Sequence, residues 1–156
     1  MTWATVTIRC PSLEACQSLA VSLAGLVQPP LVVELNGTLG AGKTQWTKFW
    51  GQALGATAEE ITSPTFVIMH RYATDPVIYH LDAYRVRDED EFLELGVEEL
   101  FEQPAIVIIE WGEKFADLLP KDRLVIDIEV VDATTRDIRL KGTGERSSSS
   151  LARWRR

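Results

Sequence analysis

Five apolar residues at 105–109, Ala-Ile-Val-Ile-Ile, run unbroken into Glu110 and Trp111. A short continuous run rich in β-branched residues predicts a strand buried on both faces. Leu31-Val32-Val33-Glu34-Leu35 predicts a second. Elsewhere the period changes. Thr5 to Arg9 alternates and predicts a short strand. Leu13, Cys16, Leu19, Ala20, Leu23 and Val27 form one helical stripe, opened by Ser12 as N-cap and ended by Gln28-Pro29-Pro30. Trp46, Phe49, Trp50, Ala53 and Leu54 recur at helical spacing before Gly55, which places both tryptophans in the core. Ile61 to Thr65 leads into a strand through about Tyr72, and Val77 to Tyr84 reads as another. Asp88, with Glu91 three residues on, opens a helix that Gly96 stops; Val97 to Phe101 makes a second short one. Leu124 to Val131 and Arg136 to Leu140 predict two strands joined by a hairpin around Asp132-Ala133-Thr134. Strands interleaved with helices make this an α/β chain.

Between the strand at 31–35 and the helix at 46–54 stands Gly37-Thr38-Leu39-Gly40-Ala41-Gly42-Lys43-Thr44. This is a phosphate-binding loop in its required context of strand, glycine loop and helix. Glycines at 37, 40 and 42 allow successive N–H groups to turn around an anion, and the helix N-terminus adds partial positive charge. Lys43 is suited to the β- and γ-phosphates, and the Thr44 hydroxyl to a phosphate-bound Mg²⁺. A nucleotide is therefore the expected ligand.

Such a loop needs a carboxylate to order the metal and its waters. Two strands end in an acid: residues 106–110 offer Glu110, and residues 77–82 offer Asp82. Strand C-terminal ends share one edge of an open α/β sheet, so both can reach the metal. Thr65, in the stiff segment Ser63-Pro64-Thr65, is a candidate sensor of the γ-phosphate. His70 and His80 fall in strand patterns and read as packed or edge histidines. Arg85 reads as an ion-pair partner, and Trp111 as core or as a platform for a base.

Bulk properties narrow the setting. A chain of 156 residues with 46% hydrophobic and 25% charged residues is ordinary for one globular domain. No apolar run reaches the roughly 18 residues that span a bilayer, and the first residues lack a signal-peptide pattern. Cys10 and Cys16 have no metal-site spacing and read as small buried residues of a reducing compartment, so a cytoplasmic location is expected. The net charge of −7 comes almost wholly from residues 88–102, with eight acids and no base. That segment reads as a solvated helix pair or as a docking face for a basic partner. Residues 1–141 read as one domain. Residues 142–156, with four consecutive serines and a basic end, read as a flexible tail or a loosely docked short helix, with direct RNA contact possible through its arginines.

Four motifs stand in order: the loop at 37–44, Ser-Pro-Thr-Phe at 63–66, Tyr-His-Leu-Asp-Ala-Tyr-Arg at 79–85, and Ile-Glu-Trp at 109–111. With the acidic helix closing on Leu95-Gly96, they resemble the bacterial TsaE (YjeE) family over residues 12–130. The resemblance implies a three-layer P-loop NTPase-like fold with a mixed parallel and antiparallel sheet between helices. It implies a Mg²⁺-dependent, weak, partner-stimulated ATPase that serves formation of N6-threonylcarbamoyladenosine at position 37 of tRNA. The implied partners are TsaD and TsaB, with a regulatory or resetting role and tRNA met indirectly. Carried over by position, Gly37 to Gln45 and Thr65 contact ATP, Thr44 and Glu110 hold Mg²⁺, and Lys43, Asp82 and Glu110 serve hydrolysis. Thr38 stands where relatives usually have an acid, and Gln45 where they often have threonine. A P-loop small-molecule kinase, or a nucleotide-dependent scaffold that needs no hydrolysis, are the alternative readings; the absence of an Asn-Lys-x-Asp string disfavours a GTPase.

Overall fold

The structure is a computed structural model that describes residues 4–25, 28–61 and 68–155. Chain order runs β1 (Thr5–Cys10), α1 (Leu13–Ala24), β2 (Leu31–Gly37), α2 (Lys43–Ala53), β3 (Met69–Tyr72), β4 (Val77–Asp82), α3 (Glu89–Glu94), α4 (Val97–Phe101), β5 (Ala105–Glu110), β6 (Leu124–Val130), β7 (Arg136–Gly142) and α5 (Glu145–Arg155). Short 3₁₀ turns cover Ala83–Arg85 and Gly112–Leu118.

The strands among the described residues join one seven-stranded sheet in the order β1-β7-β6-β2-β5-β4-β3. β6, β2, β5 and β4 are mutually parallel, whereas β7, β1 and β3 add antiparallel edges. The apolar runs at 31–35, broken only by Glu34, and at 105–109 take the central places β2 and β5, where both faces are covered and alternation is not needed. On one face, α1, α2 and α5 pack over Val33, Leu35, Ile106, Ile108 and Ile126. On the other, Phe92, Val97, Leu100 and Phe115 pack over Val32, Val107 and Ile109. The sheet thus sits between helical layers, as an α/β chain requires.

Local signals act as expected at the helix ends. Ser12 Oγ accepts from Ala15 N at 3.1 Å, and Asp88 Oδ1 accepts from Glu91 N at 2.9 Å. The strand expected through Tyr84 ends at Asp82, because the Asp82 carboxylate accepts from Tyr84 N at 3.0 Å and turns the chain. The acids of α3 and α4 point outward, while Phe92, Val97 and Leu100 face the sheet. No described helix is long and apolar enough to cross a membrane.

Of the two readings of residues 142–156, flexible tail or loosely docked short helix, the structure has the helix. Glu145–Arg155 is helical with Leu151 and Ser147 buried, more firmly docked than expected. Asp122 accepts from Arg146 N (2.9 Å), Ser147 N (3.1 Å) and Ser147 Oγ (2.6 Å), which satisfies first-turn donors of α5. Ser148 Oγ accepts from Ala4 N at 2.6 Å, and Trp154 Nε1 donates to Ser22 Oγ at 2.8 Å. A serine run looks like linker because its hydroxyls favour non-helical backbone. Here the Ser147 and Ser148 hydroxyls bond to groups distant in sequence, and Leu151 supplies the anchor.

Candidate functional site

β2 delivers the glycine loop to the edge of the sheet at the C-terminal ends of the parallel strands. Gly37, Gly40 and Gly42 have φ of 159°, 79° and 114°. At Gly40 and Gly42 the backbone is left-handed, which disfavours any side chain although a Cβ there meets no atom within 4 Å. Leu39 is the exposed tip. Lys43 opens α2 with its ammonium nearly enclosed, donating to Gly37 O (2.6 Å) and Thr38 O (2.9 Å). Nζ also lies 4.4 Å from the centroid of the Trp111 ring. Burial pushes the Lys43 amine below the usual lysine range, while nearby Glu110 and Asp82 oppose that shift.

The two candidate acids are direct neighbours, since Asp82 on β4 is in register with Glu110 on β5. In a parallel pair, register partners face the same side, so both carboxylates point toward α2. Thr44 Oγ1 lies 3.3 and 3.2 Å from the two Glu110 oxygens. Glu110 is buried and Asp82 half-buried. Burial raises the Asp82 carboxyl, with Glu110 adding to the rise and the Tyr84 N–H opposing it. Lys43, Thr44, Asp82 and Glu110 therefore converge, as the motif order requires. Ser63, Pro64 and Thr65 lie outside the described residues.

Several contacts here were not legible in the sequence. His80, read as a packed histidine, is fully buried, and its Nε2 meets Glu110 Oε2. Its Nδ1 lies 3.1 Å from the Tyr72 hydroxyl. The available signal was parity: Ile78, His80 and Asp82 share one face of β4. Asn36 binds Glu34 Oε2 (2.7 Å) and Asp127 Oδ1 (2.9 Å), and accepts from Glu113 N at 3.2 Å, so it fixes the turn that carries Trp111. Arg123 pairs with the same buried Glu34 at 2.9 Å. Trp111 is half-buried and packs against the edge of the Phe92–Phe115 core. It is the one non-glycine residue with positive φ (62°) among the described residues, and its ring lies 5.1 Å from that of Tyr84. Arg85 forms no ion pair among the described residues.

A cavity of about 440 Å³ opens beside Ala41 and Gly42, lined by Ser12, Cys16, Gln45, Trp46, Phe49 and Arg136 among others. Its volume suits a nucleoside. Arg136 Nε donates to Ala41 O at 3.0 Å and ties β7 to the loop. Cys16 lines this cavity, and burial pushes the thiol of its neighbour Cys10 up to about 12.

A glycine loop between β2 and α2, set in a mixed sheet with helices on both faces, defines a P-loop NTPase-like protein. The family described as "Threonylcarbamoyl adenosine biosynthesis protein TsaE" matches residues 10–138, and the chain belongs to it. The tRNA threonylcarbamoyladenosine biosynthesis protein TsaE of Bacillus subtilis is 37% identical over 135 residues, 85% of this chain and 83% of that protein. Its counterpart in Streptomyces coelicolor is 39% identical over 134 residues, covering 80% and 88%. The crystal structure of Bacillus subtilis YdiB superposes with a TM-score of 0.82 at 28% identity, covering 99% of this chain and 97% of that one.

Proposed function

We propose that this protein is a cytoplasmic, Mg²⁺-dependent ATPase that serves formation of N6-threonylcarbamoyladenosine in tRNA with TsaD and TsaB, in a regulatory or resetting role. One observation carries the reading: a Thr44 hydroxyl and a Glu110 carboxylate face each other beside a glycine loop and an enclosed lysine. Hydroxyl and carboxylate are hard oxygen donors of the kind Mg²⁺ takes, so the donor set fits the ion. Among the described residues no group of three or more His, Cys, Asp or Glu is placed to hold a metal. Mg²⁺ would then be shared between Thr44, Glu110 and the phosphates, where it supplies charge neutralisation.

The chain's own residues have separate tasks. Loop N–H groups and Lys43 bind phosphate oxygens, and the apolar cavity beside Ala41 receives base and ribose. Asp82, whose carboxyl is raised by burial, is the better proton acceptor for an attacking water, because Glu110 is already engaged with Thr44 and His80. No described arginine side chain donates into the Lys43–Glu110 cluster, and slow turnover alone is the consequence. A partner that supplies the missing charge accelerates it. The outward acids of α3 and α4 suit a basic surface on that partner.

The test measures ATP hydrolysis with and without a TsaD–TsaB preparation, using wild type, Lys43→Ala and Asp82→Asn. Stimulation of wild type, with both variants inert, is the expected result. Normal tRNA modification by Lys43→Ala in the reconstituted reaction would sink the ATPase reading in favour of a scaffold.

A further inference from the structure

We propose that His80 is the positioning residue of the Glu110 carboxylate, donating a hydrogen bond from Nε2–H and braced from behind by Tyr72; this rests on the Mg·ATP reading above. His80 is fully buried, and an imidazole so placed needs partners for both ring nitrogens. It has them, Glu110 Oε2 at Nε2 and the Tyr72 hydroxyl at Nδ1. An ionised carboxylate only accepts, so the proton between His80 and Glu110 sits on Nε2. In a neutral imidazole Nδ1 is then the acceptor, and the Tyr72 hydroxyl donates to it.

The geometry makes the contact selective for orientation. A glutamate has three rotatable torsions, and ordering them costs conformational entropy. The His80 ring comes from the adjacent parallel strand, with its backbone held in register opposite Ile108, two residues before Glu110. It also packs 6.0 Å, centroid to centroid, from Tyr72 on β3. The brace therefore crosses β3, β4 and β5, and the sheet itself sets where Oε2 stands. With Oε2 engaged, Oε1 and the remaining lone pairs face Thr44 Oγ1. β4 thus supplies both Asp82 and the support for its neighbour. Groups that orient a metal-binding carboxylate from outside typically contribute about 10–100-fold in metal affinity.

The experiment uses the full chain, titrating ADP in EDTA and then in Mg²⁺ at one pH, with thermal midpoints in parallel. His80→Leu fills the volume without donating, and His80→Gln restores a donor near Nε2. The expected result is that His80→Leu keeps metal-free ADP affinity within about twofold of wild type. Its Mg²⁺-dependent gain falls about 10–100-fold, and His80→Gln recovers most of that loss. An unchanged gain, or an equal fall with and without Mg²⁺, overturns the proposal; the second outcome would mean packing alone. Because the chain has two histidines, ¹⁵N spectra of the ring nitrogens are assigned with one His70 variant. A protonated Nε2 that shifts in Glu110→Gln is expected, and a bare Nε2 overturns the proposal even where His80→Leu does not fold. A wild-type chain with no Mg²⁺-dependent gain defeats the Mg·ATP reading itself, before any variant is compared.

Discussion

Thr44 Oγ1 stands 3.3 and 3.2 Å from the two carboxylate oxygens of Glu110, across 66 positions of sequence. One group lies in the first turn of α2 and the other ends β5, and only the pairing of β2 with β5 sets them together. Glu110→Gln keeps the shape and removes the charge. Its Mg²⁺-dependent nucleotide affinity is expected to fall roughly 10–100-fold, with metal-free binding nearly unchanged; calorimetry with and without EDTA checks this.

Lys43→Met separates binding from stability. Loss of a charge-assisted contact to phosphate is worth roughly 1.5–3 kcal/mol, about 10–100-fold in nucleotide affinity. Burial depresses the Lys43 amine in the folded chain, so its charge opposes folding. The unfolded chain then binds more protons in the interval below 10.5, and wild-type stability rises with pH there. The thermal midpoint of Lys43→Met is expected at or above that of wild type near neutrality. The difference should shrink as the pH approaches 10.5, read by thermal melts across the alkaline range.

Acid should unfold the chain through its hydrogen-bonded aspartates. Asp137 is held below the ordinary range by Arg9, and Asp132 by the N–H groups of Thr134 and Thr135. For Asp122, burial pushes upward, but the donors of Ser147 and Arg146 outweigh it. A depressed carboxyl contributes stability above its unfolded value, here 3.8, and loses it as pH falls through the folded value. Asp122→Ala is expected to cost about 0.5–2 kcal/mol at pH 7, as for a lost helix cap, and less at pH 2–3. Urea midpoints at the two pH values measure the difference.

Leu151→Ala tests whether α5 belongs to the domain. Leu151 is 1% exposed and packs in the α1–α2 core. A buried leucine truncated to alanine costs about 2–5 kcal/mol. One cooperative transition with a lower midpoint is expected by circular dichroism. An unchanged midpoint would return the segment to the status of a tail.

Much of this fold was readable because its codes are short-range. The runs at 31–35 and 105–109, the Ser12 and Asp88 caps and the glycine loop each depend on a few adjacent residues. The loop geometry and the placement of the two strand-end acids were readable for the same reason. His80 was not, because a histidine inside an alternating strand is silent about its neighbour on the next strand. Asn36, Arg136 and the serines of α5 were missed alike: each acts on a backbone or carboxylate group far along the chain.

By itself, the sequence determined that strands alternate with helices, that a phosphate loop joins β2 to α2, and that β4 and β5 end in acids. Strand order and register decided the rest. Placing β5 between β2 and β4 sets Glu110 beside Thr44 on one side and His80 on the other. Side-chain periodicity is written locally, but which strands lie 4.7–4.9 Å apart is settled by burying both faces of the central runs at once. The buried contact of His80 with the Glu110 carboxylate is therefore a property of the folded sheet.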